Sequence, residues 1–277
     1  MSQQSEPPLD PNVKAYYERW SEEARLELGP FRLEELRTRE LILRHAPLPP
    51  APVLDVGGAA GAYAFWLAER GYQVRLFDAV PRLIEIARVR NEQAAQQLES
   101  CSIADARALA EPSESVAMVL LLGPLYHLQD WRERRAALRE AARVLRPGGV
   151  LIAAGISRYA SALEALKGNL LFDEEFAPIV ARDLRDGYHH NPTGRLDYFT
   201  TAYFHRPEDL RREVLDAGFE VDALYGIEGP GWMLPDFDER WADPKRREIL
   251  VQIARQLESE PSMLGCSAHL MVVGHKR

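Results

Sequence analysis

Apolar residues in the first half of the chain fall into short runs separated by helix-length stretches of mixed character. Val53–Val56, Gln73–Phe77, Ser100–Ile103, Ser115–Leu122 and Val150–Ile156 read as strands. Ala62–Arg70, Pro81–Gln97 and Trp131–Leu145 read as the helices between them. Ser115–Leu122 is apolar almost throughout, as expected of a strand covered on both faces. This alternation predicts a doubly wound α/β fold with a mostly parallel sheet. Before it, residues 1–11 are proline-rich and polar. A helical pattern then runs from Asn12 to Leu28 through Val13, Tyr16, Tyr17 and Trp20. A second helix, Arg32–His45, is stopped by the prolines of 46–52. After Ile156 the alternation pauses over residues 157–202, with helical stretches at Ala162–Leu171 and Glu175–Asp186. It resumes with helix Pro207–Ala217, strand Glu220–Tyr225, helix Asp243–Leu257 and strand Ala268–His275. The expected organisation is a helical cap over 1–50 and a main domain over 51–277, with 157–202 inserted as a lid.

Composition narrows the function classes. The 277 residues are 46% hydrophobic and 27% charged, and 34 Lys+Arg against 42 Asp+Glu give a net charge of −8. That balance argues against a protein that tracks phosphates along nucleic acid. No stretch approaches the length of a membrane span, and the polar N-terminus lacks the apolar segment of a secretory signal. Two cysteines, Cys101 and Cys266, make neither a disulfide framework nor a multi-cysteine zinc site. The expectation is a cytoplasmic enzyme without a metal; nothing in the sequence reports its oligomeric state.

The chemistry is concentrated at strand ends. Asp55-Val56-Gly57-Gly58-Ala59-Ala60-Gly61 closes the first strand with a carboxylate and a turn of small residues that opens a helix. Small side chains let a ligand approach the backbone closely. Asp78 ends the second strand, 17 residues after Gly61, where an acidic side chain accepts ribose hydroxyls in doubly wound folds. Ala104-Asp105-Ala106 follows the third strand, and Leu122-Gly123-Pro124-Leu125-Tyr126-His127 leaves the fourth. All four lie where open α/β sheets bind ligands. The dinucleotide pattern G-x-G-x-x-G is absent, since Ala59 and Ala62 occupy its third and sixth positions. An acidic residue beside the turn repels pyrophosphate and suits a cationic amine or sulfonium.

These motifs, with Phe77-Asp78 and Leu145-Arg146-Pro147-Gly148-Gly149, resemble the class I S-adenosylmethionine (SAM)-dependent methyltransferases over about residues 50–156. More narrowly, the segments 16–20, 121–128, 154–158, 199–205 and 229–235 resemble a group of bacterial small-molecule methyltransferases. The resemblance implies a seven-stranded Rossmann-like sheet ending in an antiparallel pair, SAM as cofactor, and a small-molecule acceptor methylated on oxygen or nitrogen. It implies that Asp55 orients the methionine amine, and that Gly57, Gly58, Ala59 and Gly61 line the methionine and ribose, with Ala59 where the family usually has glycine. Asp78 and Ala79 would hold the ribose, Asp105 and Ala106 would face the adenine, and Leu122 would close the cofactor site. Tyr17 would cover that site, and Arg37 would reach the methionine carboxylate.

For the acceptor, Tyr126 and His127 are the candidate catalytic pair, histidine being the natural base near neutral pH. His190, Tyr203 and Trp232 are candidates for the acceptor pocket. Glu228 and His269 are candidates for its far wall. Three other readings stay open from the residues alone: an RNA-modifying methyltransferase, a SAM-binding protein without activity, and an NAD(P)-dependent oxidoreductase.

Overall fold

The computed structural model describes residues 9–20, 25–168 and 170–277. Five parallel strands form its centre in the order β3-β2-β1-β4-β5: β1 Pro52–Val56, β2 Gln73–Asp78, β3 Ser100–Ile103, β4 Val116–Leu121 and β5 Leu145–Ser157. Beyond β5 the sheet turns antiparallel. The final strand β9, His269–Lys276, pairs with β5 from Val150↔His275 to Ile156↔His269, and β8, Phe219–Gly226, pairs with β9.

Period-two alternation builds the two faces. Val53, Met118, Leu120, Ile152, Met271 and Val273 pack on one face, against Ala64, Leu67, Ile84 and Ala87. Their neighbours Leu54, Val119, Leu121, Leu151, Leu270 and Val272 pack on the other, against Leu138, Ala141, Leu210 and Val214. Helix Phe31–His45 joins the first face through Leu41 and Ile42, both fully buried. Every residue of β4 is buried, as a central strand covered on both sides requires.

Among the described residues the sheet has nine strands, two more than the sequence suggests. One extra strand lies inside the insertion and the other begins at its last residue. β7, Ala202–His205, pairs parallel with the last two residues of β5 through Ile156↔Phe204 and Ser157↔His205, and β6, Tyr188–His189, pairs antiparallel with β7. Two and four residues are too short to show a period, so polar composition masks them. β5 also starts earlier than its apolar run: Leu145 already pairs with Val116, and an irregularity follows before Val150 pairs with Met118. The insertion also carries the helices Ala160–Lys167 and Ala177–Asp186, around Ala165, Phe176, Ile179, Val180 and Tyr198.

The first helix is shorter than its apolar pattern. It spans Pro11–Arg19, capped by the Asp10 carboxylate, which accepts from the amides of Asn12 and Val13. Trp20 is already extended, and part of the expected helix, 21–24, lies outside the described residues. No helix among the described residues is long and apolar enough to cross a membrane.

Candidate active site

The turn after β1 is shaped by positive backbone angles and by crowding. Gly57 has φ +72°, and a Cβ there would meet the Pro124 ring at 2.5 Å. A Cβ on Gly58 would meet the Asp55 carboxyl at 2.5 Å. The amides of Gly57 and Gly58 both donate to the Phe77 carbonyl of β2, at 2.7 and 3.2 Å. Ala59 also lies in the left-handed region, at φ 52°, where an alanine Cβ is strained. Its amide donates to Asp78 Oδ2 at 2.9 Å, and the Val80 amide donates to Oδ1 at 2.8 Å. Asp78 is thus oriented by the backbone on both oxygens.

Two cavities meet at this turn and share Gly57, Ala59, Gly123 and Tyr126 in their walls. The larger, about 470 Å³, lies over the ends of β2 and β3 and is lined by Asp78, Ala79, Asp105, Ala106 and His127. Val13 and Tyr17 close it from the N-terminal helix. The Tyr17 hydroxyl is hydrogen-bonded to His127 Nε2 at 2.8 Å, and the two rings meet edge to face. Burial pushes the His127 pKa down to about 4, so its ring is neutral at pH 7. Asp105 faces the cavity with both oxygens engaged by the Arg107 guanidinium, at 2.6 to 3.0 Å. Arg107, which the sequence reading missed, therefore shares the charge placed there.

The smaller cavity, about 170 Å³, runs from Asp55, Gly58 and Leu122 to Ala154, Ile227 and His269. Asp55 is 1% exposed, and among the described residues neither carboxylate oxygen has a hydrogen-bond partner. Burial, reinforced by repulsion from Asp78, pushes its pKa up to about 7. Asp55 is an acceptor pair without a donor, in a wall whose next glycine cannot bear a side chain. A cationic amine supplies what this wall lacks, so these residues fit the amino-acid end of SAM, and Asp78 fits its ribose.

Five expected site residues lie elsewhere. Arg37 is fully buried and lines neither cavity; its guanidinium is ion-paired with Glu40 and Glu258. The arginines that do line the smaller cavity are Arg25, held by Glu34 at 2.6 and 2.9 Å, and Arg90. His190 is exposed outside both cavities, while its neighbour His189 is buried between Asp183 and the Tyr198 carbonyl. Tyr203 stacks under the Arg134 guanidinium at 3.9 Å, outside both cavities. Trp232 donates from its indole to the Cys266 carbonyl at 2.9 Å and braces a loop. Arg37, Tyr203 and Trp232 meet their partners within the fold. Gly61 caps helix Ala62–Ala68 at φ +83° and lines neither cavity.

Residues 53–149 match the family model described as a methyltransferase domain. A ubiquinone biosynthesis O-methyltransferase of Xanthomonas oryzae pv. oryzae (strain PXO99A) is 30% identical over 206 residues, 74% of this chain and 75% of the relative. The protein of the same name from Xanthomonas euvesicatoria pv. vesicatoria (strain 85-10) is 28% identical over a similar span, 74% of this chain and 75% of the relative. Among solved structures, a SAM-dependent methyltransferase of Methanosarcina mazei aligns with TM-score 0.56 at 18% identity, covering 85% of this chain and 96% of the other. One from Mesorhizobium loti aligns with TM-score 0.59 at 15% identity, covering 88% and 100%. These structural likenesses speak for the fold.

Proposed function

The chain belongs to the class I SAM-dependent methyltransferases, and from that premise we propose that it methylates an oxygen atom of a small-molecule acceptor. The observation that carries cofactor placement is the buried, unpartnered carboxylate of Asp55 beside the backbone-oriented carboxylate of Asp78. The names of the sequence relatives support an oxygen acceptor. When bound, SAM supplies a methyl group already activated by a sulfonium sulfur. The residues of this chain then have to bind, orient and exclude water. In our reading Asp55 takes the ammonium, Asp78 and Ala79 the ribose, and Ala106 with the Asp105–Arg107 pair the adenine.

Holding the reacting atoms in line contributes roughly 7–11 kcal/mol to barrier lowering. No strong base is required of the protein for that. Neutral His127, with its pKa about 4, is too weak to deprotonate an alcohol and acts as the anchor of Tyr17. Tyr126, in the wall of both cavities, orients the acceptor where they join. Residues 1–50 and 157–202 serve as cap and lid of the 51–277 domain. A contact between Tyr16 and Phe199 at 5.4 Å between ring centres supports this joint action. A cytoplasmic setting belongs to the same proposal, supported by two unpaired cysteines.

The test is calorimetric titration with S-adenosylhomocysteine, followed by incubation with SAM and a panel of small hydroxylated compounds. Binding that Asp78→Ala weakens by roughly 10- to 150-fold is the expected result. Unchanged affinity in that variant would put the ribose elsewhere.

A further inference from the structure

The insertion holds one aromatic side chain in a backbone conformation that such a residue rarely adopts. Phe199 has φ 66° and ψ −168°, a region populated almost solely by glycine. Such a conformation persists only where the surroundings over-determine it, and here both flanking peptide planes are gripped. The Tyr198 carbonyl accepts from His189 Nε2 at 2.8 Å, and the Phe199 carbonyl accepts from Asn191 Nδ2 at 2.7 Å. The Phe199 amide donates to the Leu196 carbonyl at 3.2 Å. Both grips are themselves fixed. His189 is buried, its Nδ1 hydrogen-bonded to Asp183 Oδ2 at 2.8 Å and its ring stacked on Phe204 at 4.7 Å. Asn191 uses its whole amide: Nδ2 also donates to the Arg195 carbonyl, and Oδ1 accepts from the amide and the hydroxyl of Thr193.

The strained residue lies at the seam between the lid, the cap and the cofactor wall. Its ring centre is 5.4 Å from that of Tyr16 in the first helix and 5.9 Å from that of His127. With Tyr126 it packs on Ile156, Ala202 and Phe204. Tyr126 and His127 line the larger cavity, and His127 holds the Tyr17 hydroxyl that covers it. A second tie runs beside the seam, from the Arg19 guanidinium to the Gly194 carbonyl at 3.3 Å.

We propose that Phe199 is the residue through which the lid holds the cap closed over the cofactor, with His189 and Asn191 as the positioning residues that keep its ring in the seam. This inference deepens the methyltransferase reading and rests on it. A return of residue 199 to the ordinary negative φ turns its side chain away from Tyr16 and His127. The cap then loses its aromatic contact with the lid. His127 loses the packing that keeps it within reach of Tyr17. Phe199, His189 and Asn191 line neither cavity, so they act on the reaction through the cap.

The test is limited trypsin cleavage of the full chain after Lys14 and Arg19, both in the first helix, together with calorimetric titration of S-adenosylhomocysteine. Phe199→Gly removes the ring and relieves the backbone at once. Asn191→Asp keeps the size of the side chain but sets a carboxylate against two carbonyls. Each variant should speed cleavage of the cap roughly tenfold without ligand and weaken S-adenosylhomocysteine by at least about fivefold. The double variant should match Phe199→Gly alone, because a glycine needs no grip. A thermal melt separates these effects from loss of the fold. If Asn191 only stabilises the lid, Asn191→Asp changes cleavage after Arg195 and leaves Lys14 and Arg19 as protected as in the wild type, and the proposal is overturned. Additive losses in the double variant overturn it as well, as does faster cleavage of the cap with unchanged S-adenosylhomocysteine affinity. Failure of the wild-type chain to bind S-adenosylhomocysteine would sink the methyltransferase reading, while the cleavage rates without ligand still judge the seam.

Discussion

Ala59 concentrates the conflict between local strain and ligand fit. Its φ of 52° suits glycine, yet its amide must point at Asp78 Oδ2 to orient that carboxylate. A left-handed alanine costs roughly 1–2 kcal/mol, and glycine recovers part of that while paying unfolded-state entropy. Ala59→Gly should therefore raise stability by up to about 1 kcal/mol, read from a thermal melt. Affinity for S-adenosylhomocysteine should stay within about threefold, because the amide that orients Asp78 is retained. A tenfold tightening would show that the methyl group crowds the cofactor.

At the scale of elements, the first helix covers the site and leaves the sheet alone. Val13 and Tyr17 line the larger cavity, and none of its residues pairs with a strand. Removing residues 1–19 should leave the fold intact and weaken S-adenosylhomocysteine by roughly tenfold or more. Protease protection of the helix should rise with ligand, as for a closing lid. The truncation stops before Arg25, because losing it removes the bidentate partner of the buried Glu34 and leaves only the longer contact to His269 at 3.7 Å. Unchanged affinity would reduce Tyr17 to packing. This helix also shows what was legible beforehand. β4 and the apolar half of β5 were visible because strands covered on both faces write continuous apolar runs, and β1, β2 and β3 because shorter apolar or alternating runs stand at helix-length spacing beside them. Asp55, Gly57, Ala59, Asp78, Asp105 and Ala106 were visible because each sits at a fixed place after such a run, and all six line the two cavities. Arg37, Tyr203 and Trp232 were misplaced because polar and aromatic side chains look alike whether they face a ligand or an internal partner, and His190 because the sequence does not mark which of two adjacent histidines turns inward; it is His189 that does. Only tertiary packing shows Arg37 meeting Glu258, 221 residues away. Arg25 and Arg107 carried no motif, and the β6–β7 ribbon was too short to carry a period.

Across the whole molecule, the site sets an unusual dependence of stability on pH. Asp55 has an ordinary pKa of 3.8 and a folded value of about 7. Its contribution is therefore fully present below 3.8 and is lost as pH rises through 7, a difference on the order of 2–4 kcal/mol. His269, raised from 6.5 to about 9, acts with the same sign over its own higher window. His127, lowered from 6.5 to about 4, acts oppositely: its contribution is present above 6.5 and lost as pH falls through 4. Asp55→Asn should make the free protein more stable at pH 8 and change little at pH 4, as chemical denaturation at the two values would reveal. SAM binding should release about one proton at pH 6 and almost none at pH 8.5, measured by calorimetry in buffers of different ionisation heat. The variant should release none. Equal proton release at both values in the wild-type chain would mean that Asp55 does not meet the ammonium.

The ribbon of β6 and β7 hangs on two residues of β5, Ile156 and Ser157, beyond the point where β4 ends. The turn after β1, by contrast, is locked to β2 and to Pro124 by contacts that leave no room for a side chain. Inheritance can therefore act on the two halves at different rates. The ribbon and its helices can drift, lengthen or be exchanged among descendants while the cofactor turn stays fixed. New acceptors become reachable by changes confined to 158–201, with the donor chemistry carried along unaltered.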